Sequence, residues 1–175
     1  MIRMLADHDA DGYVEVRRRA LAEAPLAFAS SPTDDIAASR EAVCTLLRQA
    51  PESVVLGAFL DDLVGAVGLY RDRHLKFSHK AHLWGMYVVP SYRGRGVAAE
   101  LLDAALRHAH TLAGVAWVHL SVTSAAPVAR RIYERAGFHV WGTEPEALCH
   151  DGQTVVDYHM ALHLSKKSSA LRERC

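Results

Sequence analysis

The sequence predicts a mixed α/β fold of the α+β type: one mainly antiparallel sheet with a central parallel pair and helices on both faces. Three observations predict it. Apolar spacings run in the order strand, two helices, three strands, helix, strand, helix, two strands. The strand–helix–strand unit from His82 to Val122 requires a parallel pair joined by a crossover helix. The segments before and after that unit read as antiparallel hairpins. The chain has 175 residues, half of them hydrophobic, which fits one domain with a substantial core. We expect that domain to span 1–164, followed by a polar C-terminal tail over 165–175.

Each element has its own signal. Ile2–Leu5 is a short strand. Asp9 is placed to cap a helix over about 10–24 that Pro25 ends. Asp34 or Thr33 is placed to cap a second helix over about 35–49, stopped by Pro51. The runs SVVLGAFL (53–60) and LVGAVGLY (63–70) alternate around Asp61-Asp62 as a hairpin. HLWGMYVV (82–89) is a strand ended by Pro90. Val97, Leu101, Leu102, Ala105, Leu106 and Ala109 mark an amphipathic helix that begins near Gly96 and closes at Gly114. Residues 117–122 form a strand. Pro127 suits the first turn of a helix over 127–136, and Gly137 suits its left-handed exit. Strands over 138–141 and 154–164 complete the chain, with Asp151-Gly152 between them.

Charge and cysteine content narrow the function classes. Twenty basic residues balance twenty acidic ones, so nothing global attracts a nucleic acid. The three cysteines show no C-x-x-C spacing, which argues against a disulfide framework or zinc ribbon and for a reducing, cytoplasmic setting. The N-terminus lacks the apolar run of a signal peptide, and no stretch approaches a membrane span, so no membrane partner is expected. Arg17-Arg18-Arg19 reads as a solvated helix face. His108 and His110 are two apart and do not share a helical face. His74, His79 and His82 would need unusual loop geometry to ligate together, so no metal is expected.

The informative segment is VVPSYRGRGVAA (88–99). A strand ends, a loop rich in Gly and Arg follows, and a helix begins. Such a loop turns backbone N–H groups toward one point, and the helix start adds unpaired donors and a positive dipole end. This is chemistry for phosphate or pyrophosphate, with Arg93 and Arg95 as additional charged donors. The Walker pattern is absent. The dinucleotide fingerprint is half present, at Gly94 and Gly96, with no early βαβ unit before it.

The segment from His82 to His110 resembles the coenzyme-A-binding motif of the GNAT superfamily of N-acetyltransferases. The pattern Arg/Gln-x-x-Gly-x-Gly/Ala is met by Arg93-Gly94-Arg95-Gly96-Val97-Ala98. A second element, a strand followed by a helix that carries Tyr and ends in Gly-Phe, is met from Leu120 through Tyr133 to Gly137-Phe138. Order and spacing agree, and the resemblance covers about 1–164. It departs at Ala126, where the pattern usually has Asn, with Ser124 as the nearest substitute.

The resemblance implies the acyl-CoA N-acyltransferase fold, in which the central parallel strands splay. It implies acetyl-CoA as the acetyl donor, and an amine of a small molecule, protein or peptide as acceptor. By the same resemblance, the backbone of Met86, Tyr87 and Val88 holds the pantetheine arm, and Gly85 admits its close approach. The loop Arg93, Gly94, Arg95, Gly96, Val97 and Ala98 holds the pyrophosphate, and Ser124 supplies a further contact. Tyr133 serves the departing thiolate; read from its helix alone, it is a packed residue beside Ala129 and Ile132. His82 is the candidate general base, with a strand-end histidine or a water relay as the alternatives. A homodimer is compatible with the family. The acceptor is expected to meet the first two helices, Leu26–Pro32, the loop 71–79 and the final hairpin. Attack in a ternary complex needs no covalent enzyme intermediate, and Cys44 and Cys149 lie outside the motifs. The alternative function is a non-catalytic acyl-CoA-binding sensor or structural module.

Overall fold

The computed structural model describes residues 1–164; the expected polar tail at 165–175 lies outside the described residues. Its strands are β1 (Ile2–Met4), β2 (Ser53–Phe59), β3 (Leu63–Arg71), β4 (Lys80–Val88), β5 (Trp117–Thr123), β6 (His139–His150) and β7 (Gln153–His163). Its α-helices are α1 (Ala10–Glu23), α2 (Arg40–Leu47), α3 (Val97–Thr111) and α4 (Pro127–Arg135). The strands form one sheet in the order β1-β2-β3-β4-β5-β7-β6. Only β4 and β5 run parallel; the other neighbours are antiparallel. The expected order of elements and the mixed sheet are both present.

The two sheet faces carry different helices. Leu101, Leu102 and Ala105 of α3, with Tyr133 of α4, pack on Leu69, Leu83, Val118 and Leu120. Full burial of a leucine side chain contributes about 1.5–3 kcal/mol, so the apolar stripe of α3 anchors that face. On the other face, Tyr13 of α1 and Val43, Leu46 and Leu47 of α2 cover Val55, Ala66 and Trp84. Trp84 lies across β3 at Gly68, where an added Cβ would sit 2.1 Å from its ring, so the ring requires glycine there.

The parallel pair is short. β4 and β5 register only at Lys80↔Trp117, Ala81↔Val118 and His82↔His119. Beyond His82, β4 keeps β3 on one side and, among the described residues, has no paired strand on the other. Register slips between Ala66 and Gly68, opposite Gly85, whose φ of +63° favours glycine. This bulge opens the sheet into the expected split.

Four expectations need correction. The second helix is α2, Arg40–Leu47, not 35–49. Its cap is Ser39, which accepts the Ala42 N–H at 3.2 Å, not Asp34 or Thr33, whose side chains bond to Ser31 instead. Arg17 is not solvated: it is buried, while Arg18 and Arg19 are exposed and pair with Glu15. Asp9 does not cap α1 with its side chain; it accepts from Arg3 and from the Ala6 N–H instead. β6 does not stop at 141 but runs to His150, because bulges at Val140/Gly142 and Glu144/Leu148 interrupt its alternation without ending the pairing.

Candidate active site

The loop between β4 and α3 is built to leave donors free. Tyr92 and Arg93 donate their N–H groups to Val89 and Pro90, forming a tight turn. Gly94 and Gly96 then take φ of +74° and +84°, with open space where a Cβ would stand. The first bond into α3 runs from the Glu100 N–H to the Gly96 carbonyl, 3.0 Å. The N–H groups from Gly94 to Ala99 therefore donate to no acceptor among the described residues. A row of such donors at the start of a 15-residue helix suits a pyrophosphate.

The two arginines of the loop differ. The Arg93 Nε donates to the Val88 carbonyl at 2.8 Å, and its Nη1 lies 2.7 Å from Glu23. Arg93 thus ties the loop to the end of α1, and what it offers an anion is charge nearby. Arg95 lies over the Tyr92 ring, 5.5 Å from its centroid, with no ion pair among the described residues. Val97 and Ala98 supply helix-start N–H groups.

The strand residues expected at the pantetheine arm flank the split. Met86 is half-buried against the α3 face, and Tyr87 and Val88 are buried. Tyr87 donates to the Glu23 carboxylate at 2.6 Å. Burial, followed by that bond, pushes its phenol up to about 12. Tyr87 therefore fixes β4 to α1, leaving the backbone as the part that faces the gap.

Tyr133 sits on α4 beneath the opposite wall, 7% exposed, with its ring edge-on to Phe138 at 6.0 Å. Its hydroxyl makes no hydrogen bond among the described residues, and it is not one of the fully enclosed orphan atoms. The side chain is packed, and its hydroxyl is not wholly enclosed. Burial raises its phenol above the ordinary range, so it stays protonated at neutral pH.

The Ser124 hydroxyl accepts the Val156 N–H at 3.2 Å, and the Ser124 N–H donates to the Val156 carbonyl at 2.8 Å. Ser124 thereby extends the β5–β7 pairing. Ala126 offers only backbone: its N–H goes to Thr123 at 3.0 Å.

His82 lies on the other face, at the last position of β4 paired with β5. Its ring stacks on Tyr70 at 4.9 Å. Its Nε2 is enclosed without a hydrogen bond, 3.6 Å from Asp72. Burial lowers the imidazole below its ordinary value, and the Asp72 carboxylate opposes that shift. His82 lines an open cleft of about 470 Å³ with Asp72, Phe77, Lys80, His119 and Trp141. The sequence reading missed His119 and Trp141. Their signal was present: Trp117, His119 and Ser121 alternate with Val118, Leu120 and Val122, so one face of β5 is polar and aromatic.

The geometry is a split parallel pair, a donor-lined loop at one end, a phenol on one face and a polar cleft on the other. Comparison with known proteins agrees with it. A proposed acetyltransferase from Salmonella typhimurium, solved with its cofactor acetyl-CoA, superposes with a TM-score of 0.82 at 20% identity, over 100% of this chain and 98% of that one. An acetyltransferase of the GNAT family from Streptococcus pneumoniae gives 0.80 at 22% identity, over 94% and 99%. These likenesses concern the fold. A mycothiol acetyltransferase from Nocardiopsis dassonvillei is 42% identical over 62 residues, which is 34% of this chain and 18% of the length of that protein. No helix among the described residues is long and apolar enough to cross a membrane. The Acetyltransferase (GNAT) family itself matches residues 15–138, and the chain belongs to that family.

Proposed function

We propose that the chain is an N-acetyltransferase that binds acetyl-CoA and passes its acetyl group to a primary amine by direct attack in a ternary complex. The observation that carries this reading is the pairing of a split β4–β5 with six consecutive N–H groups, Gly94 to Ala99, that have no acceptor among the described residues. One holds an extended thioester arm by its backbone; the other holds a pyrophosphate. That the Salmonella relative was solved with acetyl-CoA supports the same cosubstrate here.

The two faces of the split divide the work. The amine enters from the polar cleft and attacks the thioester carbonyl. A β4 N–H near Tyr87 stabilises the developing oxyanion. The thiolate departs on the α4 side, where the Tyr133 hydroxyl donates a proton. His82, the candidate general base, lines the cleft with its ring stacked on Tyr70 and its Nε2 enclosed toward Asp72. Val97 and Ala98 hold the pyrophosphate with Gly94, Arg95 and Gly96.

The second reading, a non-catalytic acyl-CoA-binding module, draws on Ala126 and Ser124, which give the cofactor side little side-chain chemistry. One experiment decides. Purified protein is given acetyl-CoA and a panel of α-amino acids, polyamines and peptide N-termini, and free thiol is followed. Amine-dependent thiol release supports the enzyme. Binding of acetyl-CoA, seen as a melting shift, without release supports the module.

A further inference from the structure

The open face of the sheet carries a hydrogen-bonded chain that the family pattern does not explain. On β5, Val118, Leu120 and Val122 are buried against α3, so Ser121 points to the opposite face, where it is exposed. It stands two residues beyond His119, the last position paired with β4, at the mouth of the split. His159 is its register partner on β7. The Ser121 Oγ lies 2.7 Å from His159 Nδ1, and His159 Nε2 lies 3.2 Å from Glu144 Oε2 on β6.

We infer that Ser121, His159 and Glu144 form a proton relay that takes the proton from the acceptor ammonium. This rests on the acetyl-transfer reading above. An ionised carboxylate only accepts hydrogen bonds, so Glu144 selects the His159 tautomer with its proton on Nε2. Nδ1 is then an acceptor, and Ser121 donates to it. The Ser121 oxygen keeps a lone pair for an incoming N–H.

The steps balance. The ammonium gives one proton to Ser121 Oγ as the Ser121 proton passes to His159 Nδ1. The neutral amine attacks, the C–N bond forms and the C–S bond breaks. The second N–H proton is lost as the amide forms. One of the two protons is matched by the proton that the thiolate takes up; the other leaves to solvent from His159, whose side chain is 30% exposed. The relay lies on the face opposite Tyr133, so proton removal and thiolate protonation occupy separate walls of the split.

His82 is the weaker base by position. It stands two strand positions below the mouth, with Nε2 enclosed toward Asp72. The charged and titratable groups that face His159 are Glu144 from β6, His119 from β5 and Asp157 on its own strand. Trp141 stacks on its ring at 5.4 Å. Asp157 has an enclosed Oδ1 without a partner, so it is the competing proton acceptor on this face.

The test is kcat/KM for the best amine of the panel, measured against pH, in the wild type and in Ser121→Ala, Ser121→Thr, His159→Gln and Asp157→Asn. The free amine titrates identically in every assay, so differences between proteins belong to the protein. Ser121→Ala and His159→Gln are expected to lose about 10²-fold near neutrality. The loss shrinks at alkaline pH, where the amine arrives deprotonated. Ser121→Thr keeps the hydroxyl and the wild-type profile, and acetyl-CoA affinity holds throughout. An equal loss at every pH, no loss, or a profile that moves only in Asp157→Asn overturns the relay while the wild type stays active. A wild type inactive toward every amine overturns the acetyl-transfer reading, and the relay with it.

Discussion

Arg17 on α1 and Asp35 in the segment before α2 form a bidentate ion pair almost closed to solvent, their side chains 6% and 2% exposed. The guanidinium lies near the rings of Phe28, at 5.0 Å, and Trp84, at 5.8 Å. Its Nη1 would be 3.4 Å from a Cβ at Gly85, so the pair stands behind the β4 bulge. It fastens the α1–α2 segment over the face of the split opposite Tyr133.

Removing one partner leaves the other charge buried without compensation. Asp35→Ala is therefore expected to cost about 3–5 kcal/mol, read by urea unfolding. The double variant Arg17→Met, Asp35→Leu removes both charges and should recover most of that loss. Equal instability of single and double variants would mean that local packing, not the charge, sets the cost.

The pyrophosphate loop gives a second prediction. Gly96→Asp places a carboxylate among the free N–H groups at the start of α3, at a φ of +84° that side chains rarely adopt. Acetyl-CoA affinity should fall at least about tenfold, or 1.4 kcal/mol. Because the Cβ meets nothing within 4 Å, the fold should survive. Calorimetry on a variant with a wild-type circular dichroism spectrum checks it; unchanged affinity would move the pyrophosphate elsewhere.

What was legible in the sequence follows from which signals are local. The loop 93–98 and the Tyr133 helix are contiguous, and their glycines, proline and apolar spacing specify backbone directly. The α1–α2 segment was misread because its path depends on Asp35 meeting Arg17, eighteen residues back in sequence and unmarked by any periodicity. β6 was cut short because Gly142 and Pro145 punctuate it like a loop, whereas β7 pairs through the bulges. His119 and Trp141 entered the site only when sheet order brought β5, β7 and β6 side by side. Strand order is a non-local property, and alternation within one strand does not reveal which neighbour completes the face.

Asp9 supplies a pH-dependent term. Hydrogen bonding to Arg3, opposed by burial, holds its carboxyl at about 2. The folded value is depressed, so the stabilisation is present above the unfolded value, near 4, and is lost as pH falls through about 2. Arg3 is about a third exposed, so solvent screening reduces the worth of the pair to at most about 1 kcal/mol. Asp9→Asn should be less stable than wild type by that amount at neutral pH. The gap should close between about pH 4 and pH 2. A gap constant across that range would assign the effect to something other than ionisation.

Tyr133→Phe separates chemistry from packing. The ring is buried in the α3–α4 core and edge-on to Phe138, and phenylalanine retains both contacts. The hydroxyl bonds to no described residue, so its removal leaves no protein donor or acceptor unpaired. Melting temperature should change little, and acetyl-CoA affinity should hold because the ring still fills its place. A phenol is neutral at working pH and has a proton to give, although burial makes it a weaker acid; its loss should lower kcat by about 10²-fold. A fall in kcat at constant cosubstrate affinity identifies an interaction made mainly in the transition state. On the proposed mechanism the thiolate leaves on the α4 side, so the defect should also shrink with an acyl donor whose thiol is more acidic, since a better leaving group needs the proton less. Full activity in Tyr133→Phe, or a defect indifferent to the leaving thiol, would remove Tyr133 from the proton inventory and leave the thiolate to depart without an acid from the protein.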